Sequence, residues 1–136
     1  MFATARHAIK SYNEVGIETG VHAADPHKLI LMLFDGALLA LVDAKQHMQR
    51  REIAAKGQSL SKAIMIVESG LKASLDVEAG GELGERLASL YSYMCDRLLR
   101  ANLHNRPEII DEVSGLLSEL RGAWAQIDPA AAERRA

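Results

Sequence analysis

The residues that could do chemistry are few and scattered. Five histidines, His7, His22, His27, His47 and His104, are the natural candidates for metal ligation or proton transfer. A helical bundle that houses two metal ions uses Glu-x-x-His on two of its helices. No glutamate stands three residues before any histidine here, so no metal site is expected. Cys95 is the only thiol. No histidine is near it in sequence, and it reads as a small buried apolar side chain rather than a nucleophile. A single cysteine excludes an internal disulfide and fits a reducing compartment. Gly80-Gly81 follows no strand and reads as a turn, not a phosphate cradle. Asp35 and Asp76 have no carboxylate partner at helical spacing. The expectation is therefore no enzyme, with no catalytic residue, no cofactor and no metal.

The elements that would have to position any site are helices. Hydrophobic residues make up 49% of the 136 residues but aromatics only 4%, so the core must be aliphatic, and aliphatic helix formers argue against a sandwich or barrel. Asp25 followed by Pro26 is a helix start: the carboxylate can accept from a first-turn N–H, and proline loses nothing at the first position. From Leu29 to Val42 the only charge is Asp35. A helix so apolar must be covered by several neighbours, which places it at the centre of the domain. A turn is expected near Arg51–Glu52, with a start at Ser59 as the alternative. Leu60, Ala63, Ile64, Val67, Leu71 and Leu75 form the next stripe, ended by a loop at Asp76–Gly81. Leu83, Leu87, Leu90, Met94 and Leu98 repeat as a bundle seam. Pro107 opens the last helix, whose buried face is Ile110, Val113, Leu117, Leu120, Trp124 and Ile127, with Leu116 beside them. Short connections between long helices imply antiparallel neighbours. The fold class is all-α: an antiparallel up-down four-helix bundle over 25–128, a short N-terminal helical arm and linker over 1–24, and a tail over 129–136.

A net charge of −2 gives no basic face for nucleic acid, so none is expected as a partner. The uncharged apolar run Leu29 to Phe34 is far short of the ~20 residues of a membrane span, and the first fifteen residues lack the apolar core of a secretory signal. A cytoplasmic protein without membrane insertion follows.

What remains is binding. The long helix starting at Pro26 carries more apolar surface than a small bundle easily hides, and Leu33, Phe34, Leu41 and Tyr91 are the candidates to line a groove. In the arm, Ala5, Ala8, Ile9 and Tyr12 fall on one stripe of a segment too short to fold alone. Ile9 and Tyr12 either cap the bundle's open end or contact a partner, tyrosine suiting the second role with its apolar body and polar tip. Gly36 and Gly70 sit inside helices, at a cost of about 1 kcal/mol each relative to alanine. Gly36 reads best as a close approach of another helix, whether a bundle neighbour or a partner.

The order Ile9-Lys10-x-Tyr12-x-x-Val15, then Ala24-x-Pro26-x-x-Leu29-Ile30-x-Met32-Leu33-Phe34-Asp35-Gly36-Ala37, resembles the flagellin export chaperones. Gly70-Leu71-Lys72, Gly80-Gly81-Glu82, Leu90-Tyr91-x-Tyr93-Met94 and Leu98-Leu99-x-Ala101-Asn102 extend the likeness from the arm to Ile127. Two positions depart from it: the turn near Arg51–Glu52 lacks a Gly-Asp pair, and Ser92 stands where aspartate is common. The resemblance implies a cytoplasmic chaperone that binds the disordered C-terminal segment of flagellin, holds it unpolymerised and brings it to the flagellar type III export apparatus; a one-to-one complex is expected. It also implies client contact at Ile9 and Tyr12, from an arm that covers part of the site when no client is bound. The competing reading is a self-associating helical module without a flagellin client, the free protein being monomer or dimer.

Overall fold

The computed structural model describes residues 25–127, and these are all-α, in four helices. The arm with Ile9 and Tyr12, and the tail, lie outside the described residues. Helix α1 (Pro26–Gln49) starts as the sequence requires, with Lys28 N–H donating to the Asp25 carboxylate at 2.8 Å and Pro26 in the first turn. Seven of its residues are buried, among them Leu33, Phe34 and Leu41. It is nevertheless a wall and not a centre: Leu39 and Val42 are 61% and 52% exposed. Helix α2 (Ile53–Met65) passes without a break into a π-helical segment (Ile66–Lys72). Helix α3 spans Val77–His104 and helix α4 Pro107–Ala125. In the described bundle α1 packs against α2, the π segment and α4, while α3 packs against α4, α2 and the π segment. The helices thus stand at the corners of a square with α1 and α3 on its diagonal, so each keeps one outward side. That geometry explains why so apolar a helix still shows leucine and valine to solvent.

Contacts along the helices fix their directions. His27 at the start of α1 meets Trp124 at the end of α4, and Lys45 near the end of α1 pairs with Asp111 near the start of α4 at 2.8 Å. Lys56 at the start of α2 reaches Asn102 at the end of α3. Neighbours are antiparallel in both cases, as short connections demand.

The first turn falls at Arg50–Glu52, the expected place and not Ser59. Arg51 takes φ 59° there, the left-handed region where a glycine is at ease. The stripe on α2 is broader than its spacing implies. Leu60, Ala63, Val67 and Leu71 are buried, but so are Ile66 and Gly70, which stand three and seven residues after Ala63 on the same face and meet α1 at Gly36 and Leu33. Both in-helix glycines mark close approaches within the bundle. A Cβ on Gly70 would stand 3.1 Å from a Leu33 methyl, and one on Gly36 would stand 3.4 Å from Ile66 Cδ1. The expected loop at Asp76–Gly81 is instead largely a helical turn: Gly80 N–H donates to the Asp76 carbonyl, and the break comes at Gly81, at φ 57° and ψ −133°. Beyond it the seam is split. Met94 and Leu98 are fully buried, Leu87 and Leu90 half-buried, and Leu83 is 66% exposed. On α4, Ile110, Val113 and Leu117 are buried, Leu120 and Trp124 are half-buried, and Ile127 is exposed. Both departures occur at one end of the molecule, where the core opens.

Between α3 and α4, Tyr93 and Arg97 converge on Glu112, with Arg97 Nε donating at 2.8 Å. These two hydrogen bonds, the Tyr93 one first, hold the Glu112 carboxyl below the usual carboxylate range. Arg121 and Asp35 tie α4 to α1 in the same way.

Candidate functional site

The open end of the bundle holds a cavity of about 780 Å³. Helices α1, α3 and α4 and the π segment contribute to it. Helix α1 supplies Asp25, Pro26, His27, Ile30 and Phe34; the end of the π segment and the turn after it supply Leu71, Ser74, Leu75 and Asp76. Helix α3 supplies Leu83, Leu87 and Tyr91, α4 supplies Leu120, Ala123 and Trp124, and Ile127 follows just beyond its end. The deep wall is Phe34, Leu71 and Tyr91, all nearly inaccessible, and the rim is Leu83 and Ile127. Aliphatic side chains that the sequence pattern assigns to buried seams thus run past the point where a facing helix could cover them.

One corner is fixed by a reciprocal clamp. His27 Nε2 donates to the Trp124 carbonyl at 2.8 Å, and Trp124 Nε1 donates to the His27 carbonyl at 2.9 Å. The rings stack with centroids 5.1 Å apart and planes within 18°. This satisfies both polar tips and leaves the apolar bodies facing the cavity. Trp124 is the only tryptophan of the chain, so its emission reports on this site.

Of the residues expected to line a groove, Phe34 and Tyr91 are brought together in the cavity wall. Leu33 and Leu41 are not: at 1% and 0% exposure they belong to the core, Leu33 pressed against Gly70. Ile9 and Tyr12 lie outside the described residues. The rim residues Leu83, Leu120, Trp124 and Ile127 were expected to be buried, and their place at the end of each seam is the signal that points to the opening.

The site offers apolar surface and no catalytic constellation. Burial pushes the Tyr91 hydroxyl up to about 12, so it is neutral at any physiological pH. Cys95 is buried on α3, its thiol against the Ile64 carbonyl at 3.9 Å. Burial, with Glu68 nearby, pushes it up to about 11, which suits a packing residue and not a nucleophile. Among the described residues there is no group of three or more histidine, cysteine or carboxylate side chains that could hold a metal ion. No described helix is long and apolar enough to cross a membrane.

Comparison with known proteins gives one consistent result. Residues 8–131 match the family described as flagellar protein FliS. The chain is 53% identical over 123 residues to the flagellar secretion chaperone FliS of Salmonella typhimurium, covering 90% of this chain and 91% of that one. It is 46% identical over 117 residues to the flagellar secretion chaperone FliS of Escherichia coli K12, covering 86% of both. The FliS chaperone of Bacillus subtilis is 30% identical over 109 residues, covering 80% of both.

Proposed function

We propose a function from one premise: this chain belongs to the FliS family and is a flagellar export chaperone, not an enzyme. Its client is flagellin, taken by the disordered C-terminal segment, one client per chaperone. The chaperone works in the cytoplasm, keeps the subunit from polymerising before export, and hands it to the flagellar export apparatus.

The observation that carries this reading is the cavity at the open end of the bundle, walled by apolar side chains from α1, the π segment, α3 and α4. A segment destined for helical packing inside a filament carries apolar stripes that would self-associate if left in water. An amphipathic segment can lay such a stripe into an apolar groove, ordering as it binds. Ordering a disordered chain costs several kcal/mol of the gross interaction, so contact must extend beyond one cavity. The arm residues Ile9 and Tyr12 provide that extension, and release at the export gate stays accessible because the net affinity is moderate.

The test is co-sedimentation of the purified protein with full-length flagellin and with flagellin lacking its C-terminal segment. A one-to-one complex with the first and none with the second is expected, with a negative heat-capacity change on binding. Equal binding to both would reject the reading. A dimer that forms without flagellin and ignores it would favour the self-associating module, which the exposed Leu39 and Val42 of α1 keep in view.

A further inference from the structure

The cavity has one polar group that the fold leaves unanswered. Five of the residues lining it carry polar side chains besides Tyr91, and each has an interaction of its own. Asp25 accepts from Lys28 N–H, Ser74 Oγ donates to the Leu71 carbonyl, and His27 and Trp124 clamp one another. Asp76 is engaged as well. Tyr91 alone has no hydrogen-bond partner among the described residues, although the residue is only 4% exposed. Its neighbour two positions along reverses the usual relation: Tyr93 is 43% exposed, yet its hydroxyl is bonded to Glu112. Buried polar side chains are normally bonded within the protein, so a hydroxyl without a protein partner on a residue this buried, at the wall of a cavity, is free to bond a guest.

We propose that the Tyr91 hydroxyl is a specificity element of the cavity, donating a hydrogen bond to a neutral carbonyl oxygen that the bound segment brings with it. The inference rests on the cavity being the client's seat. Because burial keeps the phenol protonated, donation is its natural role. A neutral acceptor fits better than an anion, since Asp25 and Asp76 at the same cavity would repel a carboxylate. Two groups meet the description: a main-chain carbonyl left free at the end of a helical turn, and an asparagine or glutamine carboxamide. The class of ligand is therefore an aliphatic segment interrupted by one such carbonyl, not an unbroken run of leucine. A purely apolar segment would fill the same space and leave the hydroxyl stranded, and sites built to bond a polar group discriminate strongly against partners lacking it.

The experiment uses Tyr91→Phe in the full chain, with the C-terminal segment of flagellin as ligand. Urea unfolding of the free variant should give a midpoint equal to or above that of the parent, because a stranded hydroxyl is removed. Calorimetric affinity for the segment should fall roughly tenfold, the worth of one hydrogen bond of about 1.4 kcal/mol. A parent protein that binds the segment while Tyr91→Phe binds it equally well overturns this inference and leaves the flagellin reading standing. A clear drop in the unfolding midpoint overturns it too, by showing that the hydroxyl serves the fold. Failure of the parent itself to bind sinks both.

Discussion

At the end of the bundle where α1 turns into α2 and α3 into α4, the interior is closed around a lysine. At the opposite end it is left open around leucines. Lys56 is only 4% exposed, and its ammonium group donates to the Asn102 carbonyl at 3.0 Å and to Asn105 Oδ1 at 2.5 Å. Those acceptors sit at the C-terminal end of α3, where the helix dipole is negative and the last carbonyls have no intrahelical donor. Asn105, at φ 53°, ends that helix in a left-handed conformation, and Arg106 N–H closes back on the Ala101 carbonyl. A polar group is thus buried and paired. At the other end Leu83 and Ile127 reach solvent, Phe34 and Leu71 wall a cavity, and the Tyr91 hydroxyl has no partner among the described residues. The same four helices finish one end as a folded protein does and leave the other open, with apolar side chains at its rim.

The contrast can be broken at either end. The largest effect expected is on stability, at the closed end. Leu60→Ala removes a fully buried side chain there and should cost about 2–5 kcal/mol in urea unfolding. Leu83→Asp at the open rim should move stability by no more than about 0.5 kcal/mol while abolishing most client binding. Comparable losses of stability from the two substitutions would erase the distinction. A smaller effect sharpens it. Lys56→Met keeps the length of the side chain but removes two hydrogen bonds from a charged donor, and should cost about 1–3 kcal/mol without altering affinity for flagellin. A variant as stable as the parent would mean that the lysine is dispensable and the closed end is held by packing alone.

Much of this was legible in the chain. Asp25-Pro26 and Pro107 mark real helix starts because their mechanism is local. The turn at Arg50–Glu52 was harder, since no glycine announces it and Arg51 adopts the left-handed conformation itself. The π segment could not be read, because Ala63, Ile66, Val67, Gly70 and Leu71 keep ordinary α-helical spacing and nothing in it marks the wider turns. The site was legible in part. Phe34 and Tyr91 were found as an excess of apolar surface, but Leu33 and Leu41, equally apolar, are covered by neighbours. Periodicity reports which residues share a face and not where the facing helix stops. Leu83, Trp124 and Ile127 therefore read as buried when they frame the opening.

That the opening receives the client is tested most directly by the tryptophan beside it. Titrating the C-terminal segment of flagellin into the protein should shift and saturate Trp124 emission at one equivalent, with the shift lost in Leu83→Asp. Calorimetric binding of the same segment that leaves Trp124 emission unchanged would place the client elsewhere on the bundle and contradict the account.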